Sequence, residues 1–176
     1  MRDRYPVPEL TQLAERLGVR PFALLYLHAK RNVLAFATTT PPPGGGIFQE
    51  VAESCVELPF DCTDEALGEA VWQKLLEFRL APMGYLSKWT DAPSFRRSRM
   101  KTVRRFRFEY VSIWIEAYPQ VLRLTGNLPP GPAEHYFVGI DLPIASDFST
   151  LGSTGRAIRR GVALLAESDS FPEGDL

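Results

Sequence analysis

One eleven-residue pattern occurs twice in this chain, and its two copies lie 84 positions apart. Residues 58–68 and residues 142–152 both begin with Leu-Pro and end with Leu-Gly. Each copy follows an extended apolar run and leads into apolar residues at helical spacing, so each predicts a strand, a turn and a helix. The early glycines, Gly68 and Gly152, predict close packing of each helix on the sheet. The repeat therefore predicts an α/β architecture but no chemistry.

Each of the two predicted helices carries one apolar stripe. Thr63 or Asp61 is expected to cap the first helix, because a side-chain oxygen satisfies the first backbone amides. The first stripe consists of Leu67, Val71, Leu75 and Phe78, and the second of Leu151, Gly155, Ile158, Val162 and Leu165. A further short helix is predicted from Leu10 to Leu17, where Gly18 ends it.

The remaining apolar segments predict strands. Residues 22–27 and 33–36 flank a polar turn and predict a β-hairpin. Residues 104–118 have apolar side chains on both alternating faces, which is typical of a central strand, and residues 121–124 are expected to return antiparallel to it. The two copies of the repeat add strands at 50–58 and 136–140.

These elements predict a single α/β (α+β) domain over residues 1–176. We expect a mostly antiparallel sheet of about five strands, with two main helices and the short N-terminal helix. Residues 38–46 predict a flexible loop, because proline lacks a backbone donor and glycine lacks conformational restraint. Residues 167–176 form an acidic C-terminal tail.

Positive and negative charges are segregated along the chain, although the net charge is only −1. The 42 residues between Arg31 and Lys74 contain no Lys or Arg and form an acidic window with seven carboxylates: Glu50, Glu53, Glu57, Asp61, Asp64, Glu65 and Glu69. Residues 96–107 contain no acid and seven basic side chains: Arg96, Arg97, Arg99, Lys101, Arg104, Arg105 and Arg107. Such asymmetry indicates a charged partner, unless the two blocks pair with each other or are simply solvated.

Few residues are candidates for catalysis or cofactor binding. His28, in the hairpin turn, and His135, before a strand, lie outside any recognisable nucleophile, metal or phosphate motif, so we expect both to be solvated. Cys55 and Cys62 lack spaced metal partners. We expect them to stay reduced, although a bond across the strand-to-helix turn remains open. The sequence thus predicts no catalytic residue, no cofactor and no metal.

The chain has no sign of membrane insertion. No segment approaches the ~20 uninterrupted apolar residues that span a bilayer. The sequence Met-Arg-Asp-Arg at the start leads into polar residues and lacks the apolar core of a signal peptide. We therefore expect a cytoplasmic protein.

Three segments resemble one family of immunity proteins from bacterial contact-dependent growth inhibition (CDI) systems. They are residues 63–71 (Thr-Asp-Glu-Ala-Leu-Gly-Glu-Ala-Val), the basic-then-apolar run from Lys101 to Ile115, and the closing Leu-Gly helix within Leu142 to Val162. The resemblance covers about two-thirds of the chain. Residues 153–155, Ser-Thr-Gly, depart from the alanine-like run of the family, and the first 45 residues match nothing in it.

The resemblance implies a small cytoplasmic inhibitor without enzymatic activity. Such a protein binds and neutralises its cognate CDI toxin, through the toxin's nuclease-like C-terminal domain. Charge complementarity accelerates an encounter of this kind, and an acidic surface suits a basic nuclease. We expect the partner-binding residues to be Asp61, Asp64, Glu65, Glu69 and Trp72. Tyr85, Trp89 and Tyr118 are further candidate anchors, each of which could equally be a core or edge aromatic residue.

The alternative is an RNA- or single-stranded-DNA-binding protein that uses the basic-aromatic segment 96–110. Positive charges followed by Phe106, Phe108 and Tyr110 are of the kind that bind single strands. The segment lacks the glycines and spacing of an RNA-recognition strand, and the acidic window would partly repel a polyanion. On this basis we expect no nucleic acid partner.

Overall fold

The computed structural model describes residues 7–28, 30–42, 48–82, 88–118, 121–127, 137–143 and 150–167. The helices in these ranges are α1 (Val7–Leu17), α2 (Asp64–Leu76), α3 (Pro93–Ser98), α4 (Val103–Glu109) and α5 (Leu151–Glu167). The strands are β1 (Phe22–Leu27), β2 (Asn32–Thr40), β3 (Gln49–Glu50), β4 (Val56–Pro59), β5 (Arg79–Leu80), β6 (Val111–Ala117), β7 (Val121–Asn127) and β8 (Phe137–Pro143). Of the helices in this part of the chain, none is long and apolar enough to cross a membrane.

The strands form one sheet with the central order β3-β2-β1-β6-β7-β8. Every neighbouring pair in this order is antiparallel. The strand β4 also pairs antiparallel with β2, whereas β5 pairs with β2 in parallel. The predicted fold class, a single α/β domain with a mostly antiparallel sheet, is confirmed. More strands are present than the expected five because β3, β4 and β5 are short segments that all pair with β2.

The predicted hairpin is confirmed, with Leu27 of β1 opposite Val33 of β2. The second strand is longer than predicted, because residues 38–40 continue β2 with buried threonine side chains. These threonines were predicted to begin the flexible loop 38–46, but β3 and β5 both pair with β2 there and hold it in the sheet. Residues 43–46 of that loop lie outside the described residues, as does the predicted acidic tail beyond Glu167.

Residues 50–58 do not form the single strand that was predicted. A 3-10 turn at Ala52–Ser54 separates β3 from β4. The Ser54 hydroxyl accepts a hydrogen bond from the Ala37 amide and donates one to the Val51 carbonyl, each at 2.9 Å. This side chain thereby satisfies a backbone donor of β2 where the neighbouring strand is interrupted.

Residues 104–118 are also not one strand, because α4 occupies their first part and β6 begins only at Val111. Thr102 caps α4, since its Oγ1 accepts a hydrogen bond from the Arg105 amide at 3.1 Å. Phe106 is 2% exposed and Phe108 is 53% exposed, so these residues do not share a face as they would in a strand. The strand β6 itself is central, as predicted, between β1 and β7.

The sheet has a hydrophobic core on each of its two faces. Ala23, Leu25 and Leu27 of β1 belong to the core that α2 and α5 cover. The alternate residues of β1 belong to a second core that includes Phe95 of α3 and Phe106 of α4. The α2–α5 layer and the α3–α4 layer therefore lie on opposite faces of the sheet.

Both copies of the repeated pattern place a strand before a helix, as predicted: β4 precedes α2, and β8 precedes α5. Leu67, Val71 and Leu75 of the first stripe are fully buried in the α2–α5 core. Phe78 was predicted to share this stripe, but it follows the end of α2 and is buried in the core on the other face of the sheet. In the second copy Leu151 and Ile158 are buried and Val162 is half-buried.

Gly68 and Gly155 allow direct contact between two helices. The glycines of the repeat, Gly68 and Gly152, were predicted instead to allow close packing of each helix on the sheet. A Cβ atom on Gly68 would lie 2.0 Å from the carbonyl oxygen of Leu151. One on Gly155 would lie 1.9 Å from the carbonyl oxygen of Asp64. The backbones of α2 and α5 therefore cross in direct contact, and only residues without a side chain fit at the crossing.

Two charged faces as candidate interaction sites

The acids predicted to bind a partner lie on the first turns of α2 and just before it. Thr63 is the N-cap of α2, because its Oγ1 accepts a hydrogen bond from the Ala66 amide at 3.2 Å. Asp61, which precedes the cap, is therefore not needed to begin the helix. Glu65 and Glu69 are exposed, as is Asp61. The acidic face is defined as Asp61, Asp64, Glu65 and Glu69.

Asp64 differs from the other acids of this face because its carboxylate is bound within the fold. The Arg159 Nε donates to Oδ1 of Asp64 at 3.1 Å, and the Arg156 Nε lies 3.5 Å from Oδ2. Arg159 also donates to the carbonyl oxygens of Phe60 and Cys62. These contacts fasten α5 to the turn before α2, so Asp64 has a structural role and little uncompensated charge.

Trp72 is 3% exposed, and its indole N–H donates to Oγ1 of Thr154 at 3.1 Å. It does not project from the acidic face as a surface anchor. Trp72 instead lines a cavity of about 300 Å³ beside Glu69, together with Gln73, Leu76 and Leu151. The acidic face therefore adjoins a concave site whose wall combines an indole, two leucine side chains and a carboxylate.

The other candidate anchors occupy different environments. The guanidinium carbons of Arg20 and Arg123 lie 4.1 Å and 5.1 Å from the centroid of the Tyr118 ring. Trp89 is 59% exposed. Tyr85 lies outside the described residues.

Glu50, another acid of the acidic window, is half-buried beside the α3–α4 layer. Its carboxylate accepts a hydrogen bond from the Tyr26 hydroxyl and another, at 2.7 Å, from the Ser94 amide. Burial raises the pKa of the Glu50 carboxyl above its usual range, and burial likewise raises the pKa of Tyr26. Glu50 thus anchors α3 to the sheet, and its carboxylate is engaged by two hydrogen bonds within the fold.

The basic block forms the outer surface of the α3–α4 layer. Two exposed aromatic residues, Trp89 and Phe108, lie among the cations. The guanidinium carbon of Arg107 lies 5.6 Å from the Trp89 ring centroid, and that of Arg104 lies 5.7 Å from the Phe108 ring centroid. The basic-aromatic face is defined as Arg97, Lys101, Arg104, Arg107, Trp89 and Phe108.

The acidic and basic blocks scarcely pair with each other. Among the described residues they meet in one ion pair, between Arg99 and Glu57 at 3.9 Å. Arg96 and Arg105 pair with acids outside the acidic window, Asp91 and Glu109 respectively. Within the same ranges, no carboxylate lies within ion-pair distance of Arg97 or Lys101. The two faces therefore present separate charges to solvent.

His28 was predicted to be solvated, but it is 8% exposed and packed between the hairpin and α4. Its Nδ1 accepts a hydrogen bond from the Lys30 amide at 3.1 Å, so Nε2 carries the proton and donates to Oε2 of Glu109 at 2.9 Å. Hydrogen bonds from Arg105 and His28 lower the pKa of the Glu109 carboxyl. This pair fastens α4 to the hairpin. His135 lies outside the described residues.

The described part of the chain has no group of three or more His, Cys, Asp or Glu side chains that could hold a metal ion. Cys55 and Cys62 are both free thiols and half-buried. Burial raises the pKa of the Cys55 thiol to about 11 and also raises that of Cys62. Both thiols are therefore protonated near neutral pH, where only the thiolate is a good nucleophile.

No protein-family model matches this chain, and no curated protein does. Its fold does match solved structures. A protein of unknown function, NMB0488 from Neisseria meningitidis, is similar with a TM-score of 0.59 and 14% identity over 82% of this chain and 94% of that chain. A chain of the CdiA-CT/CdiI toxin and immunity complex from Yersinia pseudotuberculosis is similar with a TM-score of 0.58 and 14% identity, over 82% and 96%. The likeness establishes a shared fold that covers most of each chain.

Two features of these faces were not predicted from the sequence. Phe106 and Tyr110, assigned to the basic-aromatic segment, are buried, and Trp89 joins the basic residues in their place. The spacing of Arg104 and Phe108, four residues apart, is the signal that would have indicated a helix with a cation beside an aromatic ring. The cavity beside Glu69 has no such signal, because Leu151 reaches it from the other end of the chain.

Proposed function

We propose that this chain is an immunity protein that binds and neutralises the toxic C-terminal domain of a cognate CDI effector. The observation that carries the proposal is the fold likeness to a chain of the Yersinia toxin and immunity complex, which extends over 82% of this chain. The proposal also fits the chemistry of the described residues. Both cysteine thiols are protonated near neutral pH, and the buried His28 fastens α4 to the hairpin. An inhibitor needs a rigid surface complementary to its target and no catalytic group.

In this proposal the toxin docks on the acidic face. Asp61, Glu65 and Glu69 are exposed carboxylates with which a basic nuclease surface would pair. Their field would raise the association rate and favour a basic partner over others. Because Arg156 and Arg160 are exposed on the adjoining helix α5, we expect this steering to be moderate.

The cavity beside Glu69 supplies the second part of the proposed docking site. A Lys or Arg side chain of the toxin can lay its apolar stem along Leu76 and Leu151 while its charged end meets Glu69. Anchors that fill a pocket account for much of the affinity of protein interfaces, whereas exposed charges at the rim mainly affect the association rate. Trp72 then contributes as part of the cavity wall.

The test is co-expression in sensitive cells of the proposed toxin domain, encoded beside this chain, with and without this protein. We expect growth to be restored only when the protein is present. Asp61→Lys/Glu69→Lys should slow association about tenfold at low salt, since it reverses two exposed charges of the face. The control Glu15→Lys/Glu53→Lys, which makes the same change in net charge elsewhere, should behave like the wild type. Gln73→Arg, at the exposed rim of the cavity, should weaken binding by repelling a basic side chain.

The possible outcomes separate the function from the docking site. Continued toxicity in the presence of the folded wild-type protein would refute the immunity function for that toxin. Full protection by all variants, with unchanged association kinetics, would leave the function standing and exclude the acidic face as the docking site.

A further inference from the structure

We infer that the basic-aromatic face binds single-stranded nucleic acid, with bases stacked on Trp89 and Phe108 and phosphates held by the surrounding arginine and lysine side chains. This inference goes beyond the proposed immunity function and involves the opposite face of the sheet. The sequence led to the opposite expectation for two reasons, the absence of an RNA-recognition pattern and the presence of the acidic window, and the structure bears on both.

The basic segment lacks the sequence pattern of an RNA-recognition strand. The segment is instead a pair of short helices, α3 and α4, so that strand pattern is not the relevant comparison. On α4, Arg104, Arg107 and Phe108 are spaced i, i+3 and i+4 and share one side of the helix. Helical spacing thus places two cations and a stacking surface together.

The acidic window was expected to repel a polyanion. The acidic face belongs to the α2–α5 layer, on the other side of the sheet from the basic-aromatic face. The whole sheet and its two cores lie between the two helix layers, so the two faces are farther apart than one Debye length, which is about 8 Å at physiological salt. Repulsion of a polyanion by the acidic face is therefore largely screened.

The aromatic residues distinguish this surface from a merely basic one. Large apolar side chains that are exposed in the described residues are Trp89, Phe108 and Leu164, and the first two lie on this face. A guanidinium group lies within 6 Å of each of these two rings. Where an exposed ring lies beside a cation, a base can stack on the ring while the cation binds the neighbouring phosphate.

The same composition favours nucleic acid over an acidic protein as the partner. Arg97 and Lys101 have no carboxylate partner within the described residues, and Arg104 is exposed. Arginine and aromatic side chains are also common in protein interfaces, but lysine is depleted there, and cations without a partner must be desolvated to enter such an interface. Along a single strand these cations stay hydrated beside the phosphates while the bases cover the rings.

The experiment measures fluorescence anisotropy of a labelled oligouridine of twelve nucleotides with the purified full chain, at several salt concentrations. If about four phosphates are contacted, a plot of the logarithm of the association constant against the logarithm of the salt concentration should have a slope of about −3. Trp89→Ala and Phe108→Ala should each weaken binding about five- to hundredfold. Arg104→Gln/Arg107→Gln should weaken binding and reduce the salt slope by about 1. Arg16→Gln/Arg160→Gln removes two exposed arginines elsewhere and should bind like the wild type.

Three results would overturn the inference. One is no binding of the single strand at low salt. Another is equal binding of a duplex of the same length with no loss in Trp89→Ala or Phe108→Ala, which would show attraction by charge alone. The third is binding of poly-glutamate but not of the oligonucleotide, which would identify an acidic protein surface as the partner.

Both aromatic residues are exposed, so thermal unfolding of the variants should match the wild type and exclude misfolding as a cause. Because no toxin is present, the result is independent of the immunity function.

Discussion

Substitution of Gly68 by Ala tests the crossing of α2 and α5, on which the packing of this layer depends. The added Cβ atom would lie 2.0 Å from the carbonyl oxygen of Leu151 and 2.9 Å from its carbonyl carbon. Both atoms belong to the backbone, so no side-chain rotation relieves the overlap. The helices must separate locally by roughly 1 Å, in an interior that is packed as densely as an organic crystal.

The expected cost follows from three contributions. Overpacking by one methyl group costs about 1–3 kcal/mol. Separation of the helices also weakens the Trp72–Thr154 hydrogen bond, now 3.1 Å long, which is worth about 1 kcal/mol. The higher helix propensity of alanine returns at most about 1 kcal/mol. We therefore expect Gly68→Ala to lower the free energy of unfolding by about 2 kcal/mol, or the Tm by about 4–8 °C.

The assay is urea unfolding followed by tryptophan fluorescence, because Trp72 lies at this crossing. Gly155→Ala should be destabilising for the same reason, since its Cβ would meet the carbonyl oxygen of Asp64 at 1.9 Å. Gly152→Ala is the matched control, because its obstacle is the flexible end of the Glu65 side chain at 2.5 Å. We expect the control to stay within about 0.5 kcal/mol of the wild type. Wild-type stability of Gly68→Ala, or an equal loss in Gly152→Ala, would refute the proposed crossing.

Two further predictions concern the apolar stripe of α2 and the carboxyl group of Glu50. Leu67 is fully buried, so Leu67→Ala should lower the free energy of unfolding by about 2–5 kcal/mol in the same urea assay; a loss of only a few tenths would contradict its place in the core. Burial raises the folded-state pKa of Glu50 above 4.5, so the folded protein binds this proton more tightly than the unfolded chain does. The contribution of Glu50 to stability is thus fully present at lower pH and is lost as pH rises from about 4.5 through the raised pKa. The stability of the wild type minus that of Glu50→Gln should therefore decrease between pH 4 and pH 7, and a constant difference would exclude this account.

The elements with a long, regular pattern could be predicted from the sequence. The repeated Leu-Pro and Leu-Gly pairs indicated both strand–helix units, and the stripe from Leu67 to Leu75 is buried as expected. The helix α4 was missed because Phe106, Phe108 and Tyr110 alternate as in a strand. The helix forms because Thr102 caps it and because Phe106 and Tyr110, four residues apart, pack in one core.

The candidate site was less predictable because its geometry depends on distant residues. Asp64 and Arg159, which lies 95 positions later in the chain, form a contact that no local pattern indicates. The residue type alone does not distinguish Trp72 from Trp89, yet Trp72 lines a cavity and Trp89 is exposed. The charged segments could therefore be located from the sequence. Which of their charges are bound within the fold and which are exposed depends on the packing of α5 on α2.

The central claim, that this chain neutralises a CDI toxin, is tested most directly by titrating the purified toxin C-terminal domain with the purified protein. Calorimetry would measure binding while toxin activity is followed in parallel. The account predicts a Kd of about 10 nM or tighter, close to −11 kcal/mol, with toxin activity lost as the complex forms. Absence of binding at toxin and protein concentrations of about 10 μM, with both partners folded, would contradict it.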